Sequence, residues 1–503
     1  MGRPGHPMFM FPEWPASLGQ PQFHVYPFVK KLEMLIFGWQ NIFSGDALMN
    51  LLNSSYAFNY PALQSFSLEI KNYTFRVDIN AEDVFVMAKQ LNSFSLMVKQ
   101  MALKAKKVRV VWKNVLYSPK AEQVGEALNQ ALSVLLSGAA DIGFKEDSSA
   151  IFTMVPPTQF SDITHFTYDV SPGHSWPFEF IRRRSDVLKA LHLTGLEREH
   201  TVELLYDMNV RPVVYSMLEE LSIGGATSMF GGQRALAPRE MPMGPGRMIR
   251  FPKLRRIKMT SAYMFEDDVL FTGSGQTLEH LDIFVDIKFV ELAEKHGIFA
   301  QDRFLRMEYM SVNTWGFVDR TRQGELRRDS FIKAVMNSVS KLAPSFSGFK
   351  FTGGCDKAML HWNVLRAFQH TTIRSLDLLM LEFSLSDITE LLRSMPQLYI
   401  LSCTASSEVP EIKGLRRADM IEYMRSTYPM SEHFHTLKIY WRDASLTEQI
   451  AALGLYLAIA CRQFVRIVSN GVSRQSFENA LGTLRYLSPF AEYEELTKCL
   501  VAG

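Results

Sequence analysis

The chain has 503 residues, 47% of them hydrophobic, which is long enough for several domains or one extended array and too apolar for a disordered chain. Its 54 Lys and Arg against 52 Asp and Glu leave a formal charge of +2, so no global field gathers nucleic acid or anionic lipid, and charge-driven binding is confined to local patches. The four cysteines (Cys355, Cys403, Cys461, Cys499) contain no Cys-x-x-Cys pair and predict free buried thiols in a reducing compartment, not a zinc ribbon or a disulfide framework.

Residues 1–22, beginning MGRPGHPMFMF, are rich in Pro, Gly and Met and read as a flexible terminus. They carry no charged segment followed by an apolar one, so a secretory signal is not expected. His6 stands where a myristoylation motif places Ser or Thr. From there a spacing of apolar residues, Leu-x-x-Leu-x-Leu in outline, recurs along the chain. It runs through Leu32-Leu35-Phe37, Leu63-Phe66-Leu68, Ile163-Phe166-Tyr168, Leu188-Leu191-Leu193, Leu218-Leu221-Ile223, Leu254-Ile257-Met259 and Leu278-Leu281-Ile283. It continues through Phe304-Met307-Tyr309, Phe346-Phe349-Phe351, Ile373-Leu376-Leu378, Leu398-Leu401-Cys403 and Phe434-Leu437-Ile439. VRVVWKNV at Val108 and FVRIVSNGV at Phe464 read as degenerate copies, and Leu91-Phe94-Leu96 fits a helix equally well.

Many of these units follow one another at the 20–29 residues typical of leucine-rich repeats. Each predicts a short strand whose alternate residues face inward, entered through an apolar anchor. Helical patterns follow several strands. SDITELLRSM offers Asp387 and Glu390 as a capping box ahead of an apolar face of Ile388, Leu391, Leu392 and Met395. DSFIKAVMNSVSKL offers Asp329 as a cap for Phe331, Ile332, Val335, Met336, Val339 and Leu342, and SLTEQIAAL offers Ser445 and Glu448. Strand and helix in alternation predict an α/β fold. The expected architecture is a leucine-rich-repeat solenoid, or horseshoe, over residues 23–498, with parallel strands on the concave face and helices on the convex face.

Between two repeats, GGATSMFGGQRALAPREMPMGPGRM is dense in Gly, Pro and Met and predicts a mobile insertion at 224–250. FTGSGQT, 271–277, lacks the Lys-Ser/Thr ending of a phosphate loop and precedes a strand, so it reads as a surface turn. Glu266 to Asp268 lack the Gly and distal Glu of a calcium loop and read as a solvated segment. His433 and His435 have no third ligand at metal spacing. No catalytic, cofactor or metal residue is assigned, and the chain is expected not to be an enzyme.

The residues displayed between the inward positions are His192, Ser222, Lys258, Asp282, Glu308, Lys350, Asp377, Ser402 and Lys438. This mixed-sign column suits a protein partner. Its candidate binding residues are His192, Lys258, Asp282, Glu308, Lys350, Asp377 and Lys438. The alternative is a nucleic-acid-binding solenoid using Arg182–Arg184 and residues 250–258, though alternating charge signs disfavour a polyanion. The most apolar stretch, Ala451 to Cys461, is shorter than the roughly 20 residues of a membrane helix, so a soluble cytoplasmic or nuclear protein is expected.

The stretches VKKLEMLIFGWQNIFSGDALMNLL, KKVRVVWKNV, FPKLRRIKMTSAYMFEDDVLFTGSGQTLEHLDI and TLKIYWRDASLTEQIAALGLYLAIACRQF resemble the leucine-rich-repeat region of F-box-like fungal proteins. That resemblance implies a substrate-recognition module of a ubiquitin-ligase-type adaptor, with a degradation substrate as its partner. Such proteins carry an F-box-like helical segment before the first repeat. A short Pro-rich stretch stands there in this chain, so docking to a ubiquitin-ligase linker through that segment is not expected.

Overall fold

The structure, a computed structural model of the chain, describes residues 24–25, 30–37, 58–59, 62–71, 107–113, 140–145, 163–169, 177–196, 200–209, 211–225, 249–260, 268–299, 304–314, 322–339, 346–352, 372–383, 388, 391–392, 394–405, 433–440, 466–470, 475 and 479. The expectations for residues 1–22, the Leu91 rhythm, residues 226–248, Asp387, Glu390 and the helix beginning at Ser445 lie outside these residues. Two compact units are present, Met1–Leu254 and Arg255–Gly503.

The first unit contains β1 (His24–Val25), β2 (Lys31–Phe37), β3 (Phe58–Asn59), β4 (Ser65–Lys71), β5 (Lys107–Lys113), β6 (Asp141–Lys145), β7 (His165–Asp169), α1 (Phe178–Arg183), β8 (Ala190–Leu196), α2 (His200–Leu205) and β9 (Glu220–Gly225). β1 pairs with β3, and the other strands pair in parallel in the order β2-β4-β5-β6-β7-β8-β9. The second unit contains β10 (Arg256–Met259), β11 (His280–Phe284), α3 (Ile287–His296), β12 (Tyr309–Asn313), α4 (Arg322–Val339), β13 (Gly348–Thr352), β14 (Ser375–Phe383), β15 (Ile400–Ala405), β16 (Thr436–Tyr440) and β17 (Arg466–Asn470). Its strands also pair in parallel, each with the next. In each unit the fold is therefore α/β with a parallel sheet of solenoid-like order. The two degenerate copies form β5 and β17.

The apolar rhythm sets which strand face is buried. Ile163, Phe166 and Tyr168 are wholly buried, as are Leu278 and Leu281, and Ile373, Leu376 and Leu378. Successive strand residues point to opposite faces, so each unit closes its core with two strand side chains and the anchor before them. Backbone bonds fix the phase. The carbonyl one residue past each anchor accepts two amides from the next repeat, as Arg255 does from Glu279 and His280, and Glu279 from Glu308 and Tyr309. The same pairing recurs at Lys30, Ala140, Thr164, Lys189, Glu308, Ser347, Arg374 and Tyr399.

This ladder corrects two expected rungs. Leu32 pairs with Phe66, so it is the first strand position of its unit and not the anchor. Met310 pairs with Leu281 and Val312 with Ile283, so the rung expected at Phe304-Met307-Tyr309 is Met307-Met310-Val312. Both spacings occur in the sequence, and Phe304 is itself buried, but only the second leaves the half-exposed Tyr309 outside the core.

Helix side chains join the buried layer. Phe180 of α1 lies 5.3 Å from Phe166 of β7, ring centre to ring centre. α3 starts at Asp286, whose carboxylate accepts the Phe289 amide at 2.8 Å, and ends at Gly297 in the left-handed conformation (φ 57°) that costs glycine little. Phe331 of α4 meets Phe289 edge-on at 6.1 Å. Ile388, Leu391, Leu392 and Met395 are wholly buried, as their spacing predicts. Asp329 is not a cap, because α4 begins a full two turns earlier at Arg322.

The C-terminal end of α2 is closed by side chains. Tyr215 donates its hydroxyl to the Leu204 carbonyl at 2.8 Å, and Arg250 Nη1 donates to the Leu205 carbonyl at 2.6 Å. Arg182 donates to the carbonyls of Glu203 and Tyr206. Terminal carbonyls that lack an intrahelical donor are thereby satisfied. Arg250 also lies 4.6 Å above the Tyr206 ring, and Tyr215 stacks on Phe251 at 5.4 Å. The expected insertion at 224–250 is consequently shorter at both margins. Gly224 and Gly225 complete β9, and Arg250 is a buried structural residue.

Candidate functional site: the polar face of the strands

The strand face opposite the core carries the polar residues. In the second unit the register aligns Lys258, Asp282, Ser311, Lys350, Asp377, Ser402 and Lys438 in one row across β10 to β16. A second row on the same face is Arg256, His280, Tyr309, Gly348, Ser375, Ile400 and Thr436. In the first unit Thr167, His192 and Ser222 stand in line.

Six of the seven candidate residues therefore occupy the outward strand row expected of them, His192 in the first unit and the other five in the second. Glu308 does not. The three-residue shift of this rung places it at the carbonyl ladder before β12, and Ser311 takes the place between Asp282 and Lys350. Glu308 still reaches the face from its edge, with Oε2 3.6 Å from His280 Nε2. The comparable contact in the first unit sets His192 Nε2 3.8 Å from Glu220 Oε1.

Tyr309 was not among the expected residues, yet it is the largest side chain at the centre of the second unit's face. Its ring lies against Gly348, where an added Cβ would fall 2.6 Å from Tyr309 Cδ2. Only glycine leaves the ring that space. Burial raises the Tyr309 phenol above its ordinary range, and the carboxylates of Asp282 and Asp377 raise it further against a smaller opposing effect from a Ser311 hydrogen bond. Beside it, Asp377 Oδ2 is 3.6 Å from Lys350 Nζ, beyond hydrogen-bond reach, with the two side chains 25% and 37% exposed. Asp377 Oδ1 has no hydrogen-bond partner among the described residues. The sequence signal for this centre is the alternation Tyr309, Ser311, Asn313 against a glycine at 348, which becomes readable once the rung is phased on Met307.

The basic segments are largely engaged within their own unit. Arg182 and Arg250 bond to carbonyls at the end of α2, Arg183 pairs with Glu179, and Lys253 Nζ lies 3.0 Å from Met217 sulfur. In the second unit Arg255 stands 3.8 Å from Glu279. Lys258 remains an exposed cation on the strand face.

Other motifs resolve into structural roles. Asp268 is buried, 3.6 Å from His296, so this residue is not solvated as expected, and Glu266 and Asp267 lie outside the described residues. FTGSGQT is a run of hydrogen-bonded turns with Gly273 at φ 80°, but Phe271 and Ser274 are buried. His435 stacks on Tyr399 at 4.9 Å and bonds Thr436 through Nδ1 at 2.9 Å. Cys403 is a buried free thiol whose pKa is raised by burial and by Asp377, which disfavours the reactive thiolate. Among the described residues, no group of three His, Cys, Asp or Glu converges as a metal site. No helix among them is long and apolar enough to cross a membrane. No protein-family model matches the chain, and no curated protein matches it.

Proposed function

We propose that this protein is a non-enzymatic scaffold that binds another protein through the polar face of its strands. In this reading residues 23–498 form a leucine-rich-repeat array, with the strands on a concave face and the helices on a convex one. The resemblance to F-box-like fungal proteins makes a degradation substrate the favoured class of partner, and a cytoplasmic or nuclear location accords with it. The observation that carries the reading is the row Lys258, Asp282, Ser311, Lys350, Asp377, Ser402 and Lys438, whose five charged members alternate in sign with neutral serines at two of the strands. Alternating charge fixes the register of a protein partner and is poorly matched to a polyanion.

The test is charge reversal at Lys258, Asp282, Lys350, Asp377 and Lys438, followed by affinity purification from the native cell and mass spectrometry. Partner capture should weaken by about 2–5 kcal/mol where a charge becomes buried in a paired contact. Thermal melting should shift little. Retention of every partner by all five variants, with loss instead from Glu294→Lys on α3, would move the binding surface to the helical side.

A further inference from the structure

We propose, on the protein-binding reading above, that the face formed by β11 to β14 receives an arginine side chain from a basic segment of the partner, stacked on Tyr309 and paired with Asp377. Three observations on one sheet face lead there. The first is an aromatic platform: Tyr309 rests on Gly348, half exposed, at the middle of four consecutive strands. A planar guanidinium stacks on a tyrosine ring while its edge donors remain available to a carboxylate.

The second observation is acceptor capacity. Asp377 Oδ1 is buried, whereas Oδ2, on a side chain 25% exposed, faces a Lys350 ammonium 3.6 Å away, too distant for a hydrogen bond. An arriving guanidinium can donate to Oδ2 from its planar edge while it lies on the tyrosine ring, a geometry that lysine lacks. The third is the balance of charge. In the described outward rows of β11 to β14, Asp282 and Asp377 face Lys350 as the only lysine or arginine; at the ladder edge Glu308 and Arg374 offset one another, while Lys258 and Lys438 lie on β10 and β16 to either side. The centre of the face is therefore negative and its flanks positive. The complementary segment is basic at its middle.

Fluorescein-labelled nona-arginine, nona-lysine and nona-glutamate would be titrated into the full chain at physiological salt and followed by anisotropy. Nona-arginine should bind most tightly, and Asp377→Asn or Tyr309→Ala should weaken it about tenfold. Tyr309→Phe and the helical control Glu294→Gln should bind it as the unaltered protein does. Circular dichroism melts confirm that each variant is folded. Equal nona-arginine affinity in the unaltered protein, Asp377→Asn and Tyr309→Ala overturns the proposal, as does preference for nona-glutamate. Partner capture separates the two readings. If Lys258→Glu and Lys438→Glu lose partners from a cell extract while Asp377→Asn leaves nona-arginine binding intact, the arginine assignment fails and the docking face stands. If no face variant loses a partner, both fail.

Discussion

At the scale of single residues, adjacent positions on one strand have opposite consequences. Leu281 is wholly buried between its anchor and Ile283, whereas Asp282 looks outward in the polar row. Leu281→Ala should cost about 2–5 kcal/mol, because removing the branched side chain leaves a cavity that neighbouring strands only partly fill. Asp282→Ala should cost no more than about 0.5 kcal/mol, since it makes few core contacts. Equilibrium denaturation of both variants checks the pair, and equal losses would contradict the assigned faces. Tyr309 shows where residue-level reading failed. Phe304-x-x-Met307-x-Tyr309 and Met307-x-x-Met310-x-Val312 satisfy the same spacing, and side-chain hydrophobicity cannot separate them. The backbone donors on Glu279 carbonyl oxygen do.

Among the elements, α2 has only six residues, with Glu203 in its first turn and no basic residue in its last, too short to hold alone. Its stability comes from donors that lie far along the chain, Arg182 before it and Tyr215 and Arg250 after it. Tyr215→Phe keeps the ring stacked on Phe251 but strips the donor from the Leu204 carbonyl. The expected loss is about 1–3 kcal/mol, measured by denaturant unfolding, and an unchanged midpoint would mean that the carbonyl finds another donor. Buried apolar faces at helical spacing were legible, as at Ile388, Leu391, Leu392 and Met395, whereas the role of Arg250 was not. Nothing in the local composition distinguishes an arginine that closes a helix from one that meets solvent. The difference is made by a carbonyl 45 residues away.

For the whole chain, a formal charge of +2 conceals an even division of sign, and several basic side chains are already engaged by carbonyls or carboxylates. Nucleic-acid affinity rises with the number of cations free to release phosphate counterions. On a heparin or duplex-DNA column the protein should therefore elute by physiological ionic strength, about 0.15 M. Retention to several times that salt, lost on reversing Arg256 and Lys258, would revive the polyanion reading.

The shared carbonyls have a further consequence for how such a chain can change over evolutionary time. Successive ladder positions stand 24 residues apart from Arg255 to Glu279 and 39 apart from Glu308 to Ser347, yet both next strands arrive in phase. Each carbonyl acts as a zero mark from which its successor is counted afresh, so length added behind one strand leaves no error to accumulate in the next. An insertion of one residue between the zero mark and its strand has the opposite fate, exchanging inward and outward side chains for that repeat. Growth is free in one half of every unit and forbidden in the other, and a lineage could lengthen this protein repeatedly without rewriting the surface it presents.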